Sequence, residues 1–366
     1  MNKIILIGNG FDLAHGLETS YSEVLRNLLK EEYSFFSSQN FKFLESISNS
    51  TLFYIVQTKE LWNGYKNKSL PENRYEVRIG NTTKLVDKMM PNGMVYKSVW
   101  ENLYEHNFNE DVKFKNIFLS NLLNKITLEK WIDIEAFYFE KLETKTGMAT
   151  AKLNEEFKQI TDYLEEYLYR EYNNKPTKKI PEMQSIFDNI CNEQTLLVNF
   201  NYTTTETLYD LKNSKVIHIH GELKNADNPI IFGYGDTTSE NYKKIKSKND
   251  IEYLKNIKFR RYNETGNRKD LKKFMELQPY EVFIMGHSCG ISDRDLLNFI
   301  FEHENCNSIT PYYHQEKEGD KNNKEELSSN ILFCFENEER FSIIVESQNN
   351  WRPLPQAAKI LGVTGC

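Results

Sequence analysis

Ile4-Ile5-Leu6-Ile7-Gly8-Asn9-Gly10-Phe11-Asp12-Leu13-Ala14-His15-Gly16-Leu17 decides the fold reading. Four consecutive apolar residues ending on glycine read as a strand buried on both faces, as in a parallel sheet. The glycines then read as a strand-to-helix turn. Such a turn lets backbone amides approach a phosphate at a helix N-terminus, because glycine has no Cβ in the way. The dehydrogenase fingerprint G-x-G-x-x-G needs a glycine at position 13, where Leu13 stands. Two readings stay open for this loop: a phosphate cradle, or a turn that needs glycine for its geometry alone.

Working outward, further strand-like runs come late: Thr195–Val198, Val216–Ile219, Ile230–Phe232, Glu281–Met285, Ile331–Phe335 and Phe341–Val345. Between the first strand and these, residues 20–190 are mainly helical in pattern. Leu153, Phe157, Ile160, Leu164 and Leu168 form one apolar stripe over 152–172, and weaker helical segments fall at 20–36, 112–126 and 132–143. Pro71, Gly80, Pro91 and Gly93 mark a loop or short hairpin. Segments 236–278 and 315–329 read as polar surface excursions, with Gln315–Lys321 a solvated loop. The expected architecture is therefore α/β: a Rossmann-like parallel sheet with a large helical insertion after strand 1. Residues 1–20 and 190–366 would form the nucleotide-binding domain, and 21–189 the insertion.

Composition narrows the class. The 366 residues carry 46 Lys plus Arg against 53 Asp plus Glu, a net charge of −7, so a nucleic-acid-binding face is not expected. No apolar stretch approaches the roughly 20 residues that cross a membrane. The N-terminal apolar run is also shorter than the roughly 7–15 residues of a signal-peptide core. The 5 cysteines contain no C-x-x-C pair, which suggests a reducing, cytoplasmic setting.

Three more clusters sit at strand ends. In Val198-Asn199-Phe200-Asn201-Tyr202-Thr203, Asn201 is placed either to hold a ribose hydroxyl or a water, or to make a turn or helix cap. In Val216-Ile217-His218-Ile219-His220-Gly221, the two histidines share a strand face. No third metal ligand lies nearby, so no metal is expected. His220, beside the glycine, reads as an exposed general base, or else both rings are satisfied core histidines. In Met285-Gly286-His287-Ser288-Cys289-Gly290-Ile291-Ser292-Asp293, His287 and Ser288 are candidates to line a pocket. Ser292 or Asp293 would cap the next helix, with Asp293 and Asp295 as cap and surface residues. The letters G-x-S-x-G at 286–290 also admit a nucleophile elbow, although that leaves the other clusters unexplained.

The order of these motifs resembles sirtuin-like NAD-consuming domains: Gly8, Gly10 and Gly16, then Phe200-Asn201-Tyr202, then His220-Gly221, then Gly286-His287-Ser288. More closely, Ile7–Leu17 with Tyr21, Trp131-x-Asp133-x-Glu135, Phe200–Thr203, His218-x-His220-Gly221 and Phe232-Gly233-Tyr234-Gly235 resemble the AbiH family of bacterial abortive-infection proteins that act against phage. Deacetylating sirtuins carry a four-cysteine zinc module after the His-Gly motif. Residues 222–281 contain no cysteine, which favours NAD hydrolysis over deacylation.

The resemblance implies an NAD⁺ glycohydrolase with NAD as its substrate and no metal. Asn201 and His220 would be catalytic. Gly8, Asn9, Gly10, Phe11, Asp12, Gly16, Tyr202, Gly286, His287 and Ser288 would bind the nucleotide. It also implies a homo-oligomer that responds to a second defence protein or a phage trigger. Two other readings stand beside it. One is a nucleotide sensor without catalysis. The other is a nuclease-type toxin acting through the insertion at Trp131, Asp133 and Glu135, although residues two apart on a helix do not share a face and Asp133 reads better as a helix N-cap.

Overall fold

The computed structural model describes residues 1–25, 27–28, 53–55, 74–79, 82–87, 112–114, 116–126, 133–144, 147–315 and 321–357. It divides into two compact units, one of Met1–Val24 with Asp133–Cys366, the other Leu25–Ile132. In the second unit, Phe53–Ile55 pairs antiparallel with Val112–Phe114, Arg74–Ile79 pairs antiparallel with Thr82–Asp87, and a helix spans Ile117–Ile126.

The first unit is built on six parallel strands: β1 (Asn2–Ile7), β2 (Thr195–Asn199), β3 (Ser214–His218), β4 (Tyr280–Met285), β5 (Cys306–Tyr313) and β6 (Arg352–Pro353). Every pairing is parallel, and the spatial order is β3-β2-β1-β4-β5-β6. This is the doubly wound order, whose direction of winding reverses between β1 and β4.

Alternation along β1 explains the layers. Ile4 and Leu6 join one apolar cluster, with Leu196, Val198, Val282 and Ile284. Ile5 and Ile7 join the other, with Leu197 and Met285. Both faces are thus covered, which is why the strand is apolar at every position from Ile4 to Ile7.

Helices α1 (Asn9–Ala14) and α4 (Pro181–Ile190) cover the Ile5 face through Phe11, Met183 and Phe187. Helices α7 (Asn267–Leu277), α8 (Arg294–Phe301) and α9 (Lys324–Phe333) cover the Ile4 face through Leu271, Ile300 and Ile331. Helices α2 (Ile134–Glu143) and α3 (Met148–Asn174) precede α4 and group with the sheet, as does everything from Asp133 onward. The α3 stripe lies where its spacing places it, with Phe157 stacked on Phe232 at 5.1 Å between centroids.

Several elements differ from the sequence reading. Ile331–Phe335 and Phe341–Val345 are not strands. They belong largely to α9 and to α10 (Glu338–Ile344), as short apolar runs suit either a buried strand or a helix face. Ile230–Phe232 is irregular, tied by the Ile231 amide to the His220 carbonyl at 2.7 Å. Segment 236–278 is no surface excursion. It holds α5 (Glu240–Ser247), α6 (Lys258–Arg261) and α7, and buries Ile245, Tyr253, Ile257, Lys258 and Tyr262. Trp131, residues 29–36 of the helix expected at 20–36, and residues 316–320 of the expected solvated loop lie outside the described residues.

Candidate functional site

The carboxyl ends of β1 and β4 meet at a backbone crossing. A Cβ on Gly8 would lie 2.5 Å from His287 Cα, one on Gly10 2.8 Å from the Gly286 carbonyl oxygen, and one on Gly286 2.2 Å from the Phe11 amide. Contacts this close require glycine. The Gly10 amide donates to Gly286 O at 2.7 Å, the Phe11 amide to Gly8 O at 2.8 Å, and the Gly8 amide to Met285 O at 3.3 Å. These amides are therefore taken up within the protein. Here the glycines serve the approach of two strand ends.

Asn9 instead uses Oδ1 to accept from the Thr19 hydroxyl at 2.6 Å. Gly16, with φ +85°, turns the chain after α1. Asn201 at the end of β2 joins the crossing, donating from Nδ2 to Gly8 O at 3.0 Å.

Asp12 lies buried on one side of the crossing. Its Oδ2 accepts from the Thr203 hydroxyl at 2.6 Å, and burial pushes its carboxyl up to about 6. Nearby, Glu206 accepts from Asn199 Nδ2 at 2.8 Å and faces His218 Nε2 at 3.1 Å. Burial opposes a charge on His218, but the Glu206 carboxylate prevails and holds that ring above its ordinary value.

His220 turns elsewhere, so the two histidines do not converge on one point. Nor is His220 exposed, as the sequence suggested: its residue exposure is 4%. Its Nδ1 faces the Phe200 carbonyl at 3.2 Å and must donate to it. Its Nε2 faces the Tyr262 hydroxyl at 3.0 Å and Asp293 Oδ1 at 3.1 Å. Burial, then the nearby Lys258 cation, lower the His220 pKa below its ordinary value, against the pull of Asp293. The ring is therefore neutral near pH 7, with its lone pair on Nε2.

Asp293 is the hub. It precedes α8 but makes no capping bond there, contrary to its expected role as a cap. Its carboxylate instead receives Lys258 Nζ at 2.7 Å and faces His287 Nε2 at 3.4 Å. His287 accepts the Cys289 amide on Nδ1 at 3.0 Å, so its Nε2 carries the proton directed at Asp293. Burial works against the Asp293 charge, yet Lys258 and then His220 hold its carboxyl well below the usual range.

Lys258, itself 1% exposed, also binds Glu135 Oε2 at 2.9 Å. Glu135 accepts the Gly233 amide on Oε1 at 2.8 Å, and Tyr21 donates to Oε2 at 3.4 Å. Burial pushes the Glu135 carboxyl up to about 8, against the pull of Lys258. Asp133 caps α2, as its sequence position suggested, accepting the Glu135 and Ala136 amides at 2.9 and 3.0 Å.

The structure thus joins Gly8, Asn201, His220 and His287 in one contiguous set of contacts, with Phe200 against both rings at 5.1 and 4.2 Å. Tyr202 is buried beside it, its hydroxyl reaching Ile231 O at 3.4 Å. Ser288 stands apart, exposed, with its carbonyl bonded by Asn330 at 2.9 Å. Positive φ in this loop falls at Gly286 and Cys289. The buried Cys289 thiol is pushed far above its usual value, so it is no nucleophile. Among the described residues no group of three or more His, Cys, Asp or Glu side chains is arranged to hold a metal ion, and no helix is long and apolar enough to cross a membrane.

Lys258 and the hub role of Asp293 escaped the sequence reading. Lys258 bonds residues 123 and 35 positions away, and sequence spacing carries no sign of that.

The family model for Bacteriophage abortive infection AbiH matches residues 4–314. No curated protein and no solved structure matches the chain. The chain belongs to the AbiH family, which places it among proteins of abortive infection against bacteriophage.

Proposed function

We propose that this AbiH protein carries out its abortive-infection role by hydrolysing NAD⁺ to nicotinamide and ADP-ribose. The reading is carried by one observation: a buried set of ionisable side chains at the carboxyl ends of the sheet, in which Lys258 bonds Glu135 and Asp293 and His220 Nε2 stands 3.0 Å from the Tyr262 hydroxyl. In doubly wound sheets ligands bind outside these strand ends, where the winding reverses.

The chemistry follows from the leaving group. Nicotinamide departs from the ribose as a neutral molecule from a cationic precursor, so acid assistance is unnecessary. The N-glycosidic bond breaks with its electron pair going to nicotinamide, water adds to the ribose C1′, and the proton of that water passes to His220 Nε2. The attacking water takes the position on Nε2 that the Tyr262 hydroxyl holds in the free protein, since catalytic hydrogen bonds form fully only with substrate present. Asn201, its Nδ2 spent on Gly8 O, orients a ribose hydroxyl or the water through Oδ1. The Asp293 carboxylate favours the positive charge that develops on the ribose. The amides of Gly8, Gly10 and Phe11 are assigned no phosphate contact.

The test is nicotinamide release from NAD⁺ by the purified protein, alone and with extract of phage-infected cells. Asn201→Ala and His220→Ala each abolish it while circular dichroism shows that both variants still fold. Full activity in both variants sinks the site assignment. Nucleotide binding by calorimetry with no product under either condition would favour a sensor instead.

A further inference from the structure

Glu135, Lys258, Asp293 and His220 form one line. Glu135 Oε2 lies 2.9 Å from Lys258 Nζ, Nζ lies 2.7 Å from Asp293 Oδ1, and Oδ1 lies 3.1 Å from His220 Nε2. All four groups are buried, and buried charge is costly unless it is balanced.

With both carboxylates ionised, Lys258 charged and His220 neutral, the line carries one net negative charge. A single proton balances it, and two places accept that proton. On His220 Nε2 it bonds Asp293 Oδ1, since Nδ1 already donates to the Phe200 carbonyl. On Glu135 it neutralises that carboxyl, and Nε2 is left to accept from Tyr262.

We propose that Glu135 is the proton store of His220: the line holds one exchangeable proton, on Glu135 in the resting site and on His220 once it has acted as base. The direction of exchange rests on the proposed NAD⁺ hydrolysis, whereas the shared proton needs no substrate. When His220 takes a proton from the attacking water, Glu135 releases its own to solvent. The line returns to zero net charge, and its proton count is one before and after. Glu135 is on this account a positioning residue, acting through His220.

Burial raises the Glu135 carboxyl to about 8 and lowers His220, which favours the arrangement with the proton on Glu135. The other titratable groups that face them are Asp133, Tyr21, Tyr202, Tyr262 and His287, with Arg261 acting on Tyr202 and Asp295 on Tyr262. The buried tyrosines stay protonated, their values held well above the ordinary one by burial. Burial also raises Asp133 and Asp295 from the usual carboxylate value.

The experiment is an NMR titration of full-length protein carrying ¹³C-labelled histidine, without substrate, from about pH 5 to about pH 9.5. The His220 Cε1–H signal is identified by its loss in His220→Gln. In the wild type the signal follows two steps, the upper near the value of about 8 set for Glu135. In Glu135→Gln the upper step disappears and one lower step remains. A single-step curve in the wild type overturns the proposal, and so does an upper step that persists in Glu135→Gln. The wild-type curve decides even if the variant does not fold. Because no NAD⁺ is present, failure of the hydrolysis reading leaves the result intact.

Discussion

Around Gly8, Gly10 and Gly286 the buried polar atoms are backbone groups that satisfy one another across two strand ends. A short distance along the same sheet edge, around Lys258 and Asp293, they are side-chain charges drawn from α2, α6 and the segment between β4 and α8. The first region tolerates no added atom but carries no charge. The second is assembled from ordinary side chains whose value lies in their balance. The glycine motif thus marks a joint in the scaffold, and the buried ionisable groups sit beside it.

Substitutions separate the two. Gly286→Ala puts a Cβ 2.2 Å from the Phe11 amide at a φ of +73°. Neither backbone can give way, so the loss exceeds about 4 kcal/mol, the range reserved for severe defects. Urea denaturation should find the variant largely unfolded. A native-like midpoint would show that the crossing is looser than described.

Lys258→Met breaks the balance of charge without a clash. Glu135 and Asp293 lose their shared cation, and removing one partner of a buried ion pair costs about 3–5 kcal/mol. The loss is greatest at alkaline pH, where both carboxyls are ionised, smaller at neutral pH, where Glu135 holds its proton, and shrinks further on acidification as Asp293 protonates without its cation. Denaturation of wild type and variant across pH checks this, and an equal loss at every pH would contradict it.

Gly16→Ala is the mild control within the motif. A Cβ there meets nothing within 4 Å, and only the φ of +85° is unfavourable. The expected cost is about 1–2 kcal/mol, read as a modest drop in melting temperature. A loss as large as that of Gly286→Ala would mean that the motif glycines are not distinguished by crowding.

The sequence made β1, β2 and β4 legible because strands buried on both faces are written as runs such as Ile4–Ile7 and Leu196–Val198. It hid β5, Cys306–Tyr313, which is largely polar and carries Pro311. Pro311 is tolerated because its outer neighbour β6 pairs with Tyr312 and Tyr313 alone. The placement of His220 and Asn201 just past the ends of β3 and β2 was legible because each follows a short apolar run. The exposure of His220 was not, since burial there comes from Tyr262 and Asp293, which follow it by tens of residues. Glu135 was noticed only as part of a motif, and its position two residues after a helix cap gave no sign that it points at Lys258.

The most direct test of the central claim is the rate of nicotinamide release from NAD⁺, measured for wild type and His220→Ala with and without extract of phage-infected cells. The wild type should release nicotinamide, and the variant's rate should fall by at least about 100-fold, the scale of losing a general base. Equal rates in the two proteins, or no release by the wild type in either condition, would contradict it.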